Sequence, residues 1–247
     1  MGSESTVVFT LGLLGLKIPV TDTAINTAIN MWIVMVVLTV SVFILTRNLK
    51  LIPEGKQNLA ETIVEFINNL VRDIIGHHWK HFSPYLGTIL LFLLVSNTIS
   101  IFNIIPTGSQ LYELTHMEFF RNWPQFRIEP PTKNVNVTVT MAGMTILLVI
   151  VSGIRFKSFK GWLRSFILPV PVMLPFNIMD YGIRILSLTL RLYGNILAAF
   201  IVMELIYGVA APIVPAFLSL YFDLFDGCIQ AYIFVFLSTI YISEAVE

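Results

Sequence analysis

Hydrophobic residues along this chain fall into runs that are too long for strands and do not alternate with a period of two, a pattern that selects helices. Apolar stretches from about Ala28 to Thr46, Tyr85 to Ile105, Val135 to Gly153, Phe176 to Val209 and Ala216 to Ala245 predict about five transmembrane helices. Between the first two lies Glu54 to Ile75, where Leu59, Ile63, Phe66, Ile67, Leu70 and Ile74 recur at three-and-four spacing among polar residues. That spacing predicts an amphipathic helix lying at the membrane interface, over residues 54–76. Val7 to Val20 is apolar but too short to span, and Gly12, Gly15 and Pro19 interrupt it. Residues 1–27 therefore read as a non-spanning outer segment.

The last two runs are unusually long. At 1.5 Å per residue they reach roughly 50 and 45 Å, against a hydrocarbon core of about 30 Å, so unbroken helices there must be steeply tilted. Pro212 and Pro215 mark the turn between them, making residues 176–246 one helical hairpin. The whole chain, 1–247, reads as a single all-α polytopic membrane domain.

Composition agrees: 56% of the 247 residues are hydrophobic and 12% are charged, and mean hydropathy is +0.81, outside the usual soluble range. Net charge is zero, which gives no reason to expect a nucleic-acid partner, and the single cysteine, Cys228, cannot form an internal disulfide. Arg155, Lys157, Lys160 and Arg164, with no acid among them, give the strongest positive-inside signal, and Arg47 and Lys50 give a second. The balanced loop Pro106 to Asn134 suits the outer side. These signals predict an outer N-terminus and a cytoplasmic C-terminus.

Within this apolar background Arg191 stands out, in the stretch Ser187 to Asn195 (SLTLRLYGN). A guanidinium keeps its proton in any physiological environment, and at membrane depth it costs roughly 3 kcal/mol on insertion scales. It therefore needs a partner or a wet cavity, which points to an ion or substrate pathway; the plainer alternative is snorkelling to the headgroups. Asp180, Arg184, Arg191 and Asn195 fall within about 60° on one helical face. Asp180 and Arg184 stand one turn apart in the favourable acid-first order, so they are expected to pair and leave Arg191 free. Glu204 lies roughly 220° round from Arg191. On the last helix Asp223, Asp226 and Gln230 share a face by helical spacing, and folding the hairpin near residue 213 brings Glu204 towards Asp223 and Asn195 towards Gln230. Two close carboxylates cannot both ionise cheaply, which suits a group that takes up and releases protons. Asp223 and Asp226 could instead cap the start of the helix.

His77, His78 and His81 lack a completing cysteine or carboxylate, so no metal is expected there. Ser96, Asn97 and Thr98 could line a passage or bridge helices by hydrogen bonds. The chain has no P-loop lysine motif, so ATP chemistry is not expected on it.

The stretch SLTLRLYGN resembles the signature of subunit a of the membrane (Fo) sector of F-type ATP synthases. The resemblance extends through Pro53 to Asn58 with Glu65 and Phe66, Val95 to Asn97, Pro131 to Thr138 (PTKNVNVT), Leu174 to Asp180 and Gly227 to Phe234 (GCIQAYIF). It implies a non-catalytic, cofactor-free stator subunit with two offset half-channels that pass protons or sodium ions to and from a rotating ring of c-subunits. Its partners would be that ring, the peripheral-stalk b subunits and the remaining subunits of the complex. Arg191 matches the family's essential arginine, Asn195 and Gln230 match polar positions beside it, and Asp223 falls in the entry path. The sequence departs from the family at Phe200 and Asn134, where members often carry acids, and Glu204 is the acid nearest to Phe200. The resemblance and the lack of a signal or transit peptide lead us to expect a bacterial plasma membrane. The competing classes are a self-contained secondary transporter, which internal repeats and broken midplane helices would favour, and a membrane scaffold in which Arg191 only anchors a neighbouring acid.

Overall fold

The computed structural model describes residues 7–13, 16–47, 49–50, 53–99, 129–165, 172, 174–209, 217–218 and 220–246. The expected outer loop from Pro106, the Pro169–Pro171 and Pro212–Pro215 turns, and residues 100–105 of the second run lie outside these. The helices are α1 (Asp22–Thr46), α2 (Lys56–Ile75), α3 (Trp79–Thr98), α4 (Val135–Ser165), α5 (Leu174–Val209) and α6 (Gly227–Val246). Four helical stretches, Thr23–Thr46, Val135–Arg164, Leu174–Met203 and Leu220–Val246, are long and apolar enough to cross a membrane. The protein is an all-α, multi-pass membrane protein. α3 accounts for the remaining expected run; its polar first turns, Trp79 to Ser83, dilute an otherwise apolar helix.

Before α1 the described residues of the N-terminal segment are extended, not helical. Strands β1 (Val7–Leu13) and β2 (Leu16–Thr21) pair antiparallel, with Leu13 opposite Leu16 and Val7 opposite Thr21. Val7, Val8, Thr10, Ile18, Val20 and Thr21 are β-branched, and that stiffness favours extended backbone over a short helix.

The core is organised around α6, although it comes last in the chain. Its buried residues, Gly227, Gln230, Ala231, Phe234, Val235, Ser238, Thr239, Ile242 and Ser243, recur at helical spacing. They face Ile67, Val71 and Ile75 of α2, Leu86, Leu90 and Leu93 of α3, and Ala142, Ile146 and Val149 of α4 within one buried cluster. Small residues let helix backbones approach closely where water-driven burial is absent. Two of their hydroxyls are satisfied inside the helix: Ser238 Oγ donates to Phe234 O and Thr239 Oγ1 to Val235 O, each at 2.7 Å. By contrast α1 buries only Val34 completely, while Trp32, Val36, Phe43 and Ile44 are exposed. An apolar helix exposed on most sides is stable only in lipid.

The amphipathic pattern of residues 54–76 does form a helix, α2, but it packs against α3 and α6. Ile67, Val71 and Ile75 are buried, whereas Leu59, Val64 and Phe66 remain exposed. Ser83 donates to Asn68 from α3, and Ser243 Oγ of α6 donates to Ile74 O at 2.8 Å.

Two long elements depart from regular geometry. α4 runs past Gly153 to Ser165, so the basic cluster is helical and not a loop, and Ser158 interrupts it with φ 62° and ψ 153°. The reversal brings Trp162 back onto Gly153, where an added Cβ would lie 2.7 Å from the indole Cδ1. Only glycine permits that approach. α5 is unbroken over 36 residues, about 54 Å at 1.5 Å per residue. The final run is not one uniform helix: Leu220–Asp226 is π-helical, and α6 starts at Gly227. More residues per turn separate Asp223 from Asp226 than the α-helical count assumes, so their shared face with Gln230 does not follow from spacing.

Candidate functional site

The side of α5 that meets the protein carries Leu188, Thr189 and Leu192, all buried, with Leu188 and Leu192 almost completely so. The opposite side exposes Ile183, Leu186, Leu190, Ile201 and Leu205. Arg191 is exposed, on the edge of this apolar face, one position on from Leu190. No ion pair to its guanidinium is found among the described residues. A permanent cation exposed at the border of an otherwise apolar helix surface is costly in lipid and suits an anionic group brought from outside the chain.

Asp180 and Arg184 form the expected pair, with Arg184 Nε 2.7 Å from Asp180 Oδ2. Sequence spacing did not reveal the second partner. Arg184 Nη2 lies 2.6 Å from Glu244 Oε2 on the last turn of α6, and its guanidinium sits 4.6 Å from the centre of the Tyr241 ring. The side chain is 19% exposed. A planar fork can serve two carboxylates and a ring at once, which an ammonium cannot.

Asn195 is half-buried, four residues beyond Arg191. Gln230 is buried on α6, and its Nε2 finds no hydrogen-bond partner among the described residues. No hydrogen bond joins Asn195 and Gln230 among the described residues. Glu204 falls near the end of α5 and Asp223 within the π-helical segment; for both, only the backbone is described. Asp226 is half-buried at the junction of the π segment with α6.

Among the three polar residues near the end of α3, Asn97 bridges. Its Nδ2 donates to Gly227 O at 3.2 Å, and its Oδ1 accepts from Thr132 Oγ1 at 2.9 Å. The first residue of α6, the end of α3 and the short turn Pro131–Lys133 are thereby tied together, three residues before Gln230. Thr98 Oγ1 donates to Leu94 O within its own helix. Next to this junction Lys133 Nζ lies 2.8 Å from Glu129 Oε1 and 3.7 Å from the centre of the Phe200 ring. Phe200, where the resemblance leads one to expect an acid, is thus met by a cation over its ring face. Asn134 Nδ2 donates to Thr27 Oγ1 of α1 at 3.2 Å. Sequence pattern carries no signal for contacts such as Arg184–Glu244 or Lys133–Phe200, because their partners are tens of residues apart.

His78 and His81 surround Phe156, at ring-centre distances of 4.5 and 6.2 Å, an aromatic packing role. No group of three or more potential metal ligands occurs among the described residues.

Fold and site together define a multi-pass helical membrane protein that presents a single exposed guanidinium on its longest described helix. The family described as ATP synthase A chain matches residues 28–243. Among curated proteins, the chain is 34% identical over 228 residues to a sodium-ion-specific ATP synthase subunit a of Propionigenium modestum, covering 92% of this chain and 75% of the relative. It is 30% identical over 222 residues to an ATP synthase subunit a of Moorella thermoacetica, covering 90% and 91% respectively. The chain belongs to the ATP synthase A chain family.

Proposed function

We propose that this subunit is the ion-translocating stator of its ATP synthase, passing a monovalent cation through two half-channels to and from a c-subunit ring beside α5. The observation that carries the reading is the exposure of Arg191 at the border between the buried side of α5, marked by Leu188 and Leu192, and its exposed apolar side. A guanidinium and a carboxylate 4 Å apart attract by about 4 kcal/mol at an effective dielectric constant near 20. That is roughly three pKa units, so a ring carboxylate passing Arg191 is held ionised. The same charge repels cations and blocks a short circuit between the half-channels. Asn195, Gln230, Glu204 and Asp223 supply polar groups along the path, with Asp226 near its start; the buried, unpartnered amide of Gln230 fits that role.

The basic stretch from Arg155 to Arg164 supports a cytoplasmic position for that end of α4, with the N-terminus outside, the C-terminus inside, and a bacterial plasma membrane as the location. Partners on this reading are the c-ring, the b subunits of the peripheral stalk and the rest of the complex. The coupling ion is set by the ring's binding carboxylate, and the sodium-specific relative makes sodium a direct candidate beside the proton.

The test is ATP-driven ion uptake into inverted membrane vesicles, wild type against Arg191→Ala, each with and without sodium. Lost uptake in an assembled mutant complex supports the reading. Normal uptake in the mutant refutes it, and leaves Arg191 as a membrane anchor.

A further inference from the structure

α5 and α6 have different neighbours. α6 is wrapped by α2, α3 and α4, whereas α5 lies mainly against α4 and turns its opposite side outward. At the start of α5 one side chain joins the two helices. Arg184 Nε is bonded to Asp180 of its own helix at 2.7 Å and Nη2 to Glu244 of α6 at 2.6 Å. Its plane packs 4.6 Å from Tyr241, one turn before Glu244. Glu244 is held from a third side, since Lys157 Nζ of α4 donates to its backbone carbonyl at 3.4 Å. Helices α4, α5 and α6 therefore meet at the last turn of α6.

We propose that Arg184 and Glu244 form a latch that fixes the height and rotation of α5 against α6, and that Arg184 is a positioning residue for Arg191. The inference rests on the ion-path reading of Arg191. A guanidinium bonded through Nε in one direction and Nη2 in another accepts only a narrow range of helix registers. Arg191 lies seven residues further along, about 10 Å at 1.5 Å per residue and on nearly the same face. Rotating or sliding α5 at Arg184 moves Arg191 by a similar amount. At a site where reacting groups must meet within a few tenths of an ångström, such a shift breaks the transfer without removing any group that touches the ion.

The test uses the assembled complex in vesicles, in a Cys228→Ser background with spin labels on Leu186→Cys of α5 and Ile229→Cys of α6. Arg184→Gln is expected to broaden the inter-label distance distribution. It should also cut ions taken up per ATP hydrolysed roughly tenfold, about 1.4 kcal/mol of lost coupling, while hydrolysis continues. Arg184→Lys, which cannot hold both carboxylates, should fall between. The exchange Arg184→Glu with Glu244→Arg should narrow the distribution again and recover uptake. If Arg184→Gln prevents assembly, Glu244→Gln at the exposed end of the latch carries the same expectations. A distribution and an uptake ratio unchanged in Arg184→Gln or Glu244→Gln, or broadening that the exchange fails to reverse, overturns the latch. If the distribution broadens as stated while Arg191→Ala still pumps, the latch stands and the ion-path reading of Arg191 fails.

Discussion

Gly227→Ala tests the junction that sets the start of α6. A Cβ at residue 227 would lie 3.1 Å from Asn97 Cβ and 3.7 Å from Asn97 C and O. Ordinary carbon contacts sit at about 3.5–4.0 Å, so α3 and α6 must give way by a few tenths of an ångström. All three opposing atoms belong to the backbone or are fixed to it, and no rotamer change relieves the contact. Overpacking of this kind costs about 1–3 kcal/mol. The bond from Asn97 Nδ2 to Gly227 O, already 3.2 Å long, would be stretched past useful length, which adds about 1 kcal/mol. Alanine's better helix propensity returns up to about 1 kcal/mol. The expected net loss is about 1–3 kcal/mol. Gly143→Ala on α4 is the control, since a Cβ there meets nothing within 4 Å. The assay is thermal inactivation of ATP-driven ion uptake in vesicles containing each variant. If Gly227→Ala is as heat-resistant as Gly143→Ala, the close approach of α3 and α6 at Asn97 is wrong, and with it the account of how Gln230 is placed.

Arg191→Lys should retain far less coupled uptake than wild type, because an ammonium in low dielectric can lose its proton whereas a guanidinium cannot; uptake equal to wild type across pH 6–8 would contradict this. Ser158→Gly should stabilise the protein by up to about 1 kcal/mol in denaturant titrations, since φ 62° costs serine and not glycine; Ser158→Val should destabilise it. Gly153→Ala should expel the Trp162 indole from its seat and red-shift its emission in a background where the other tryptophans are phenylalanine. Lys133→Met, which removes the ammonium from the Phe200 face and from Glu129, should cost about 1 kcal/mol in stability, and a Phe200→Leu background should shrink that cost.

Local pattern carried most of the helix assignment, and distance along the chain limited the rest. α2 and α5 begin and end within two residues of their expected bounds, and α1 ends where its apolar run ends but starts six residues earlier, at Asp22, because a helix in lipid satisfies its own backbone and needs no partner to be recognised. Asp180–Arg184 was legible for the same reason, being a contact one turn apart on one helix. The Glu244 end of that network was not, since the partner lies 60 residues away and half-exposed acids at a chain end carry no pattern. The kink at Ser158 has no glycine or proline to announce it, and the π-helical stretch before Gly227 is apolar enough to read as ordinary helix. The strands of the N-terminal hairpin were obscured by their glycines and proline, which argued against a spanning helix without naming what replaces it. Arg191 was legible at once, because a charge among apolar residues contrasts with its background, whereas the apolar face around it becomes visible only when burial separates Leu188 and Leu192 from Ile183 and Leu190.

The helix at the centre of the buried cluster leaves the ribosome after every other described helix. Phe234, Val235 and Ile242 of α6 cover residues of α2, α3 and α4 that were made as much as 170 residues earlier. Until α6 inserts, those helices have no permanent neighbour on that side, so biogenesis ends with a long-range closure and not with stepwise addition. Nascent chains stalled before Gly227 should accordingly be the species that membrane proteases and insertion factors meet, and a chain shortened by its last few turns should be cleared long before it meets the other subunits.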